Sequence, residues 1–180
     1  MSRHDARHNI LEGLDLREAI LDIQSALSGW HWVLVGGLAV AYHANPPVTV
    51  DIDILVDVGR RHEYALRERM KGWSARRLWF PSSVMRGLPK HGLQFSHSRG
   101  FQAQCDMLFS GTDRYLQSIV ARGTAANLPG KIRVITPEDL IVMKSLVGRD
   151  KDYEDVQAIV ECMGDRIDQS YVERILRRLA

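Results

Sequence analysis

A β-branched, apolar segment at "TVDIDILVD", residues 49–57, carries two carboxylates one residue apart. The composition around Asp51 and Asp53 predicts a strand. Successive strand residues point to opposite faces, so the two acids share one face while Ile52 and Ile54 take the other. Their Cα atoms then lie about 6.5–7 Å apart. Left bare in a poorly solvated place, they repel. A divalent ion removes that penalty, with Mg–O distances of about 2.0–2.1 Å. The simpler reading leaves both acids solvated at a strand mouth.

The rest of the pattern builds outward from this strand. "WHWVLVGG" reads as another strand entering a tight turn at Gly36-Gly37, and "LAVAYHA" as a short helix. "NPPV" then breaks the chain. Upstream, Leu16, Ile20, Ile23 and Leu27 make a helical stripe that Gly29 can stop. Downstream, "RRHEYALRERMKG" reads as a surface helix, "SARRLWF" and "GLQFSHS" as strands, and "FQAQCDMLF" as a further strand. "TDRYLQSIVARG" is helical and "KIRVI" is a short strand. "TPEDLIVMKSLVG" opens with Thr136 at the N-cap and Pro137 at the first helical position. Two more helices follow. The expectation is an α/β (α+β) fold, a mixed sheet flanked by helices. A core over residues 1–136 with an N-terminal helix would be joined by a helical segment over 137–180.

A third acid, Asp106, stands alone inside an apolar strand-like run. Buried carboxylates are rare unless paired or coordinating. Three on adjacent strands can hold two Mg²⁺ ions about 3.5–4 Å apart and support in-line displacement at phosphorus. Gly36 and Gly37 let backbone N–H groups approach phosphate oxygens at a helix start. No Lys-Ser/Thr follows as in a Walker loop, and the third Gly of the dinucleotide fingerprint is missing.

Composition narrows the class. The chain has 180 residues, 45% hydrophobic and 26% charged, with a net charge of +2. That is enough to bury a core, and it neither requires nor excludes a polyanionic partner. Cys105 and Cys162 have no motif spacing, which fits a reducing cytoplasmic setting. No run is long and apolar enough for a bilayer, and "MSRHDARHNI" lacks the apolar stretch of a signal peptide.

Strand, Gly-Gly turn, helix, T-x-D-I-D, and a later lone strand Asp: this order resembles the polymerase-β-like nucleotidyltransferase superfamily. "ITPEDLIVMKSLVGRDKDYEDV" resembles the Lys-containing helix and R-x-K-D-x-x-D segment of its AbiEii-like branch, the toxin half of abortive-infection toxin–antitoxin pairs. The resemblance runs from about Trp32 to Val160. It implies NMP transfer from an NTP, with Mg²⁺ or Mn²⁺, to an RNA 3′ end, a protein or a small molecule such as an aminoglycoside. It also implies a cognate antitoxin as partner.

Carried over by position, Gly36 and Gly37 contact the phosphates. Asp51, Asp53 and Asp106 bind metal, with Asp106 alternatively the base. Lys144 faces the triphosphate, a compact charge suited to that task. Asp152 positions Lys144 or the acceptor, and Asp155 matches the later acid of the segment. Two departures stand out. Gly-Gly replaces the commoner Gly-Ser, losing a hydroxyl donor. Pro47 stands where many members carry an Arg, which motivates an alternative: a degenerate member that binds a nucleotide or partner without turnover. His43 can take part of the Arg's role or simply pack at a helix end.

Side chains outside the motif have plainer readings. Lys144 reads alternatively as a helix Lys snorkelling to water. Asp152 and Asp155 read alternatively as first-turn acids stabilising a helix start. The basic stretch Arg60, Arg61, Arg67, Arg69, Lys71, Arg76 and Arg77 reads as a solvated face, or as backbone contacts if the acceptor is RNA. Trp30, Trp32, Trp73 and Trp79 read as core.

Overall fold

The computed structural model describes residues 14–44, 49, 51–80, 87–97, 104–128, 130 and 132–179. Pro47, and with it the missing-Arg position, lies outside them, as does Lys131 of "KIRVI".

Helix α1 spans Leu14–Ala26, and its stripe of Leu16, Ile20 and Ile23, continued by Leu27, is buried. Strand β1 (Trp32–Val35) runs straight into α2 (Gly36–His43). Strand β2 (Ile52–Val56) follows, then a 3-10 turn and α3 (Glu63–Arg69). Strands β3 (Trp73–Trp79), β4 (His91–His97) and β5 (Gln104–Phe109) come next. Helix α4 (Arg114–Arg122), short strands β6 (Thr124–Ala125) and β7 (Arg133–Val134), and helices α5 (Pro137–Val147), α6 (Asp150–Met163) and α7 (Gln169–Leu179) complete the chain. Two-residue β6 carries no hydrophobic pattern, and it was not legible as a strand.

The seven strands form one mixed sheet in the order β3-β4-β5-β2-β1-β7-β6. Strands β2 and β5 are parallel neighbours, while β4 pairs antiparallel with β5 and β3 with β4. The register sets one cross-strand row: Arg76 opposite Gln94, Gln94 opposite Asp106, Asp106 opposite Asp53. Residues opposite one another share a face, so this row lies on one side of the sheet. Ile52, Ile54, Leu93, Phe95, Cys105 and Met107 have the other parity and are buried in the core.

Helix α5 begins as its sequence predicts. The Thr136 hydroxyl accepts from the Asp139 N–H, and Gly148 ends the helix in the left-handed region at φ 69°. Asp139 is fully buried and joins three helices. Its carboxylate accepts from the Arg122 guanidinium at 2.8 Å, the Tyr171 hydroxyl at 2.7 Å and the Tyr115 hydroxyl at 3.2 Å. Helices α5 and α6 pack on each other and on α2. Among the described residues no helix is long and apolar enough to cross a membrane.

Two expectations change. Trp79 is 64% exposed, not core, because β3 is the sheet's edge strand and its outer neighbours are solvent. The Trp79 ring lies against His91 at 4.6 Å. Much of the basic stretch is committed locally rather than merely solvated. Arg67 and Arg77 both bind Glu63, and Arg69 donates to the carbonyls of Ala26 and Ser28.

Candidate active site

The turn between β1 and α2 is built around Asp53. Gly36 has φ 63°, a conformation L side chains avoid, and a Cβ there would fall 2.0 Å from Asp53 Oδ2. At Gly37 a Cβ would meet Thr49 Cγ2 at 2.7 Å. The Gly37 N–H donates to the Asp53 carboxylate. Gly36 is thus required first for close approach to Asp53, and Gly37 for close approach to Thr49, before any phosphate is considered.

Asp51 lies just ahead of β2, exposed, its N–H donating to the Thr49 hydroxyl at 3.3 Å. Asp106 projects from β5 beside Asp53 by register. Its Oδ1 accepts from Gln94 Nε2 at 2.9 Å. All three acids line one cleft of about 490 Å³ with Gly36, Gly37, Lys144 and Asp152. Every residue expected to form the site, Asp155 apart, lines this cleft. Burial, then repulsion from Asp106 and from Asp51, push the Asp53 carboxyl up from 3.8 to about 6. Lys144 and the Gly37 N–H counter this only in part.

Lys144 is 9% exposed, so it does not snorkel. Its Nζ donates to Asp155 at 2.6 Å and to Asp152 at 3.0 Å. An ammonium has three donors, which leaves one for the cleft. Asp152 also accepts from Arg149, at 2.7 Å from Nε, and from the Arg149 N–H at 3.2 Å. Burial works against its charge, but the bonds from Arg149 and Lys144 prevail and hold its carboxyl below the usual range. The same bond to Asp152 raises the Arg149 guanidinium. Asp155, expected as a motif acid, is a buried partner of Lys144 and is not among the residues that line the cleft.

Sequence reasoning missed Arg149, Lys151 and Gln94. The first two lie inside the quoted R-x-K-D-x-x-D run and line the cleft. Gln94 had no local signal, since only strand register places it beside Asp106. His43 is buried, its Nε2 at 2.7 Å from the Ile135 carbonyl, and the packed reading holds.

Among the described residues, no three His, Cys, Asp or Glu side chains already form a metal cage. The donor set nevertheless fits a hard divalent cation. Three carboxylates open onto one cleft, and the middle one is strained toward protonation by the other two.

The solution structure of the antibiotic-resistance factor ANT(2'')-Ia matches this arrangement of elements, with a TM-score of 0.57 over 89% of this chain and 88% of that one, at 14% identity. The chain has a nucleotidyltransferase-like fold. Two further solved structures carry the same fold. The antigenic nucleotidyltransferase-like protein from Paracoccidioides brasiliensis matches at 0.52, covering 93% of this chain and 88% of that one, at 14% identity. ANT(2")-Ia in complex with adenylyl-2"-tobramycin matches at 0.52, covering 89% and 96%, at 12% identity. No family model and no curated protein matches the sequence. At these identities the likeness establishes the nucleotidyltransferase-like fold, not the AbiEii-like branch or a substrate.

Proposed function

We propose that the protein is a metal-dependent nucleotidyltransferase that moves NMP from an NTP to an acceptor hydroxyl. The observation that carries this reading is the unbalanced charge of Asp51, Asp53 and Asp106. They face a cleft in which two of the three cations, Lys144 and Arg149, are already bound to other acids, leaving Lys151.

The acceptor oxygen forms a bond to the α-phosphorus. The bond from that phosphorus to the bridging oxygen breaks, and pyrophosphate leaves with the electron pair. Asp106 takes the hydroxyl proton, its other oxygen held by Gln94. Asp53 is fixed by the glycine turn and Asp51 extends its charge toward solvent. The remaining Lys144 donor, with Arg149 and Lys151 on the same wall, meets the triphosphate. Asp51 and Asp53, with Asp106 where it does not serve as the base, would hold Mg²⁺ or Mn²⁺, which would supply positive charge for the attacking and leaving oxygens. Most of the catalysis is positioning and electrostatics.

The test incubates the protein with each α-labelled NTP, Mg²⁺ or Mn²⁺, and total RNA, lysate protein or an aminoglycoside. Label transfer that disappears in Asp53→Ala supports the reading. Nucleotide binding without transfer, unchanged in that variant, supports the degenerate alternative instead. Label on RNA or protein is what the toxin role, with a cognate antitoxin, requires.

A further inference from the structure

Away from the cleft, α4 and α7 flank a second groove of about 660 Å³. The guanidiniums of Arg114, Arg122, Arg174 and Arg178 line it, with Tyr115 and Tyr171. The two helices run past each other in opposite directions. Arg122, in the last turn of α4, lies over the Tyr171 ring near the start of α7. Arg178, near the end of α7, lies over the Tyr115 ring at the start of α4. Arg174 joins Arg122 at Tyr171, each guanidinium carbon 5.3 Å from the ring centre. The groove therefore has a cationic cluster at either end, Arg122 with Arg174 and Arg178 with Arg114. About 10 Å of helix, the rise from Tyr115 to Arg122 or from Tyr171 to Arg178, separates them.

Among the described residues, Arg122 alone of the four has an ion pair, with buried Asp139 at 2.8 Å. Arg177, which does not line the groove, pairs with Glu173. The nearby acids are used elsewhere. The Asp113 carboxylate accepts from the N–H groups of Tyr115 and Leu116, and that of Asp168 from the Ser170 hydroxyl and the Tyr171 N–H. Both tyrosine hydroxyls donate to Asp139, so the rings are anchored. Guanidiniums stacked on anchored rings are pre-organised to bind an anion.

The lining selects among anions. Single-stranded nucleic acid stacks its bases on aromatic faces, but Tyr115 is buried and Tyr171 already carries two guanidiniums. A protein partner needs apolar surface to cover, and the groove's Ile175 is buried already. A compact, highly charged anion needs neither.

We infer that this groove is a second binding site, apart from the cleft, for an inorganic oligophosphate, held by the forks of Arg174 and Arg178 with Arg122 and Arg114 beside them. Its occupancy reaches the cleft through α5. A phosphate that engages Arg122 competes with Asp139 for the guanidinium. Asp139 lies in the first turn of α5, and the next residue, Leu140, lines the cleft. None of this depends on the transfer chemistry.

Sodium tripolyphosphate is titrated into the full chain by calorimetry, without NTP or metal. The double variant Arg174→Gln/Arg178→Gln, altered at exposed positions, is expected to bind at least about tenfold more weakly than the parent. Lys151→Gln, on the cleft wall, is expected to bind like the parent. Arg174→Lys/Arg178→Lys keeps the charge without the fork and is expected to fall between. In NMR hydrogen exchange, tripolyphosphate is expected to speed exchange at the Asp139 and Leu140 amides of the parent and to leave the Gln double variant unchanged. The site falls if the Gln double variant binds as the parent does, if Lys151→Gln abolishes binding, or if the Lys double variant matches the parent. It falls too if a single-stranded oligoribonucleotide or an aspartate-rich peptide of equal charge binds the groove more tightly. Unaltered exchange at both amides in the tripolyphosphate-bound parent overturns the link to the cleft.

Discussion

The cleft has two charged walls that solve the same problem in opposite ways. On the helical wall, Lys144, Asp152, Asp155 and Arg149 form a closed set in which every charge has a partner. On the sheet wall, Asp51, Asp53 and Asp106 have Gln94 and a glycine N–H for company but, among the described residues, no ion-paired cation. Buried charge is tolerated when paired and costly when bare. The helical wall is therefore complete in itself, and the sheet wall is complete only with something positive added.

Removing charge should separate the walls most sharply at Asp53. Asp53→Asn is expected to lower nucleotidyl transfer by more than about 100-fold, the upper end of what even an outer-shell metal partner costs. The same variant should melt at a higher temperature than the parent at pH 8 without metal, because the repulsion is gone. A loss of activity with a loss of stability would show that Asp53 is structural, and the contrast between walls would fail.

The helical wall should respond the other way. Lys144→Met leaves Asp152 and Asp155 buried without their ammonium, expected to cost about 3–5 kcal/mol in urea unfolding. Unfolding measured at neutral pH checks this. A cost below about 1 kcal/mol would mean that Lys144 is held for a ligand rather than for the fold.

These walls were unequally legible before the structure. The Asp51–Asp53 pair and its shared face follow from strand parity alone, and Asp106 stood out as an acid in an apolar run. The α1 stripe and the Thr136–Pro137 start of α5 are local signals, and both appear where the pattern puts them. Lys144 was harder, because a Lys at the edge of an apolar stripe snorkels or is buried depending on what faces it. Its partners sit on the next helix, beyond any local period. Gln94 and the exposure of Trp79 depend on which strands become neighbours and which becomes the edge, and composition does not encode either.

Acid should titrate the sheet wall. The Asp53 carboxyl is raised from 3.8 to about 6, so the folded state holds its proton more tightly than the unfolded chain. Stability without metal therefore falls as pH rises from about 4 to 6 and is level above that, as far as this group is concerned. Affinity for Mg²⁺ or Mn²⁺ climbs over the same interval, because the ion displaces the proton. Mn²⁺ titration at a series of pH values checks this, and a flat profile between pH 5 and 7 would remove Asp53 from the ligand set.

The smallest effect tests how closed the helical wall is. Arg149 bonds Asp152 in the same network as Lys144, yet its side chain is 70% exposed against 11% for Lys144. Water can replace an exposed guanidinium but not a buried ammonium, so Arg149→Gln should cost no more than about 1 kcal/mol of stability. The Asp152 carboxyl, now bonded by Lys144 and the backbone alone, should titrate nearer the ordinary value in an NMR pH series. Because Arg149 faces the cleft, its loss should appear instead as a higher KM for NTP. An unchanged KM with a stability loss as large as that of Lys144→Met would place Arg149 wholly inside the structural set, and the helical wall would then offer the triphosphate only Lys151 and one donor of Lys144.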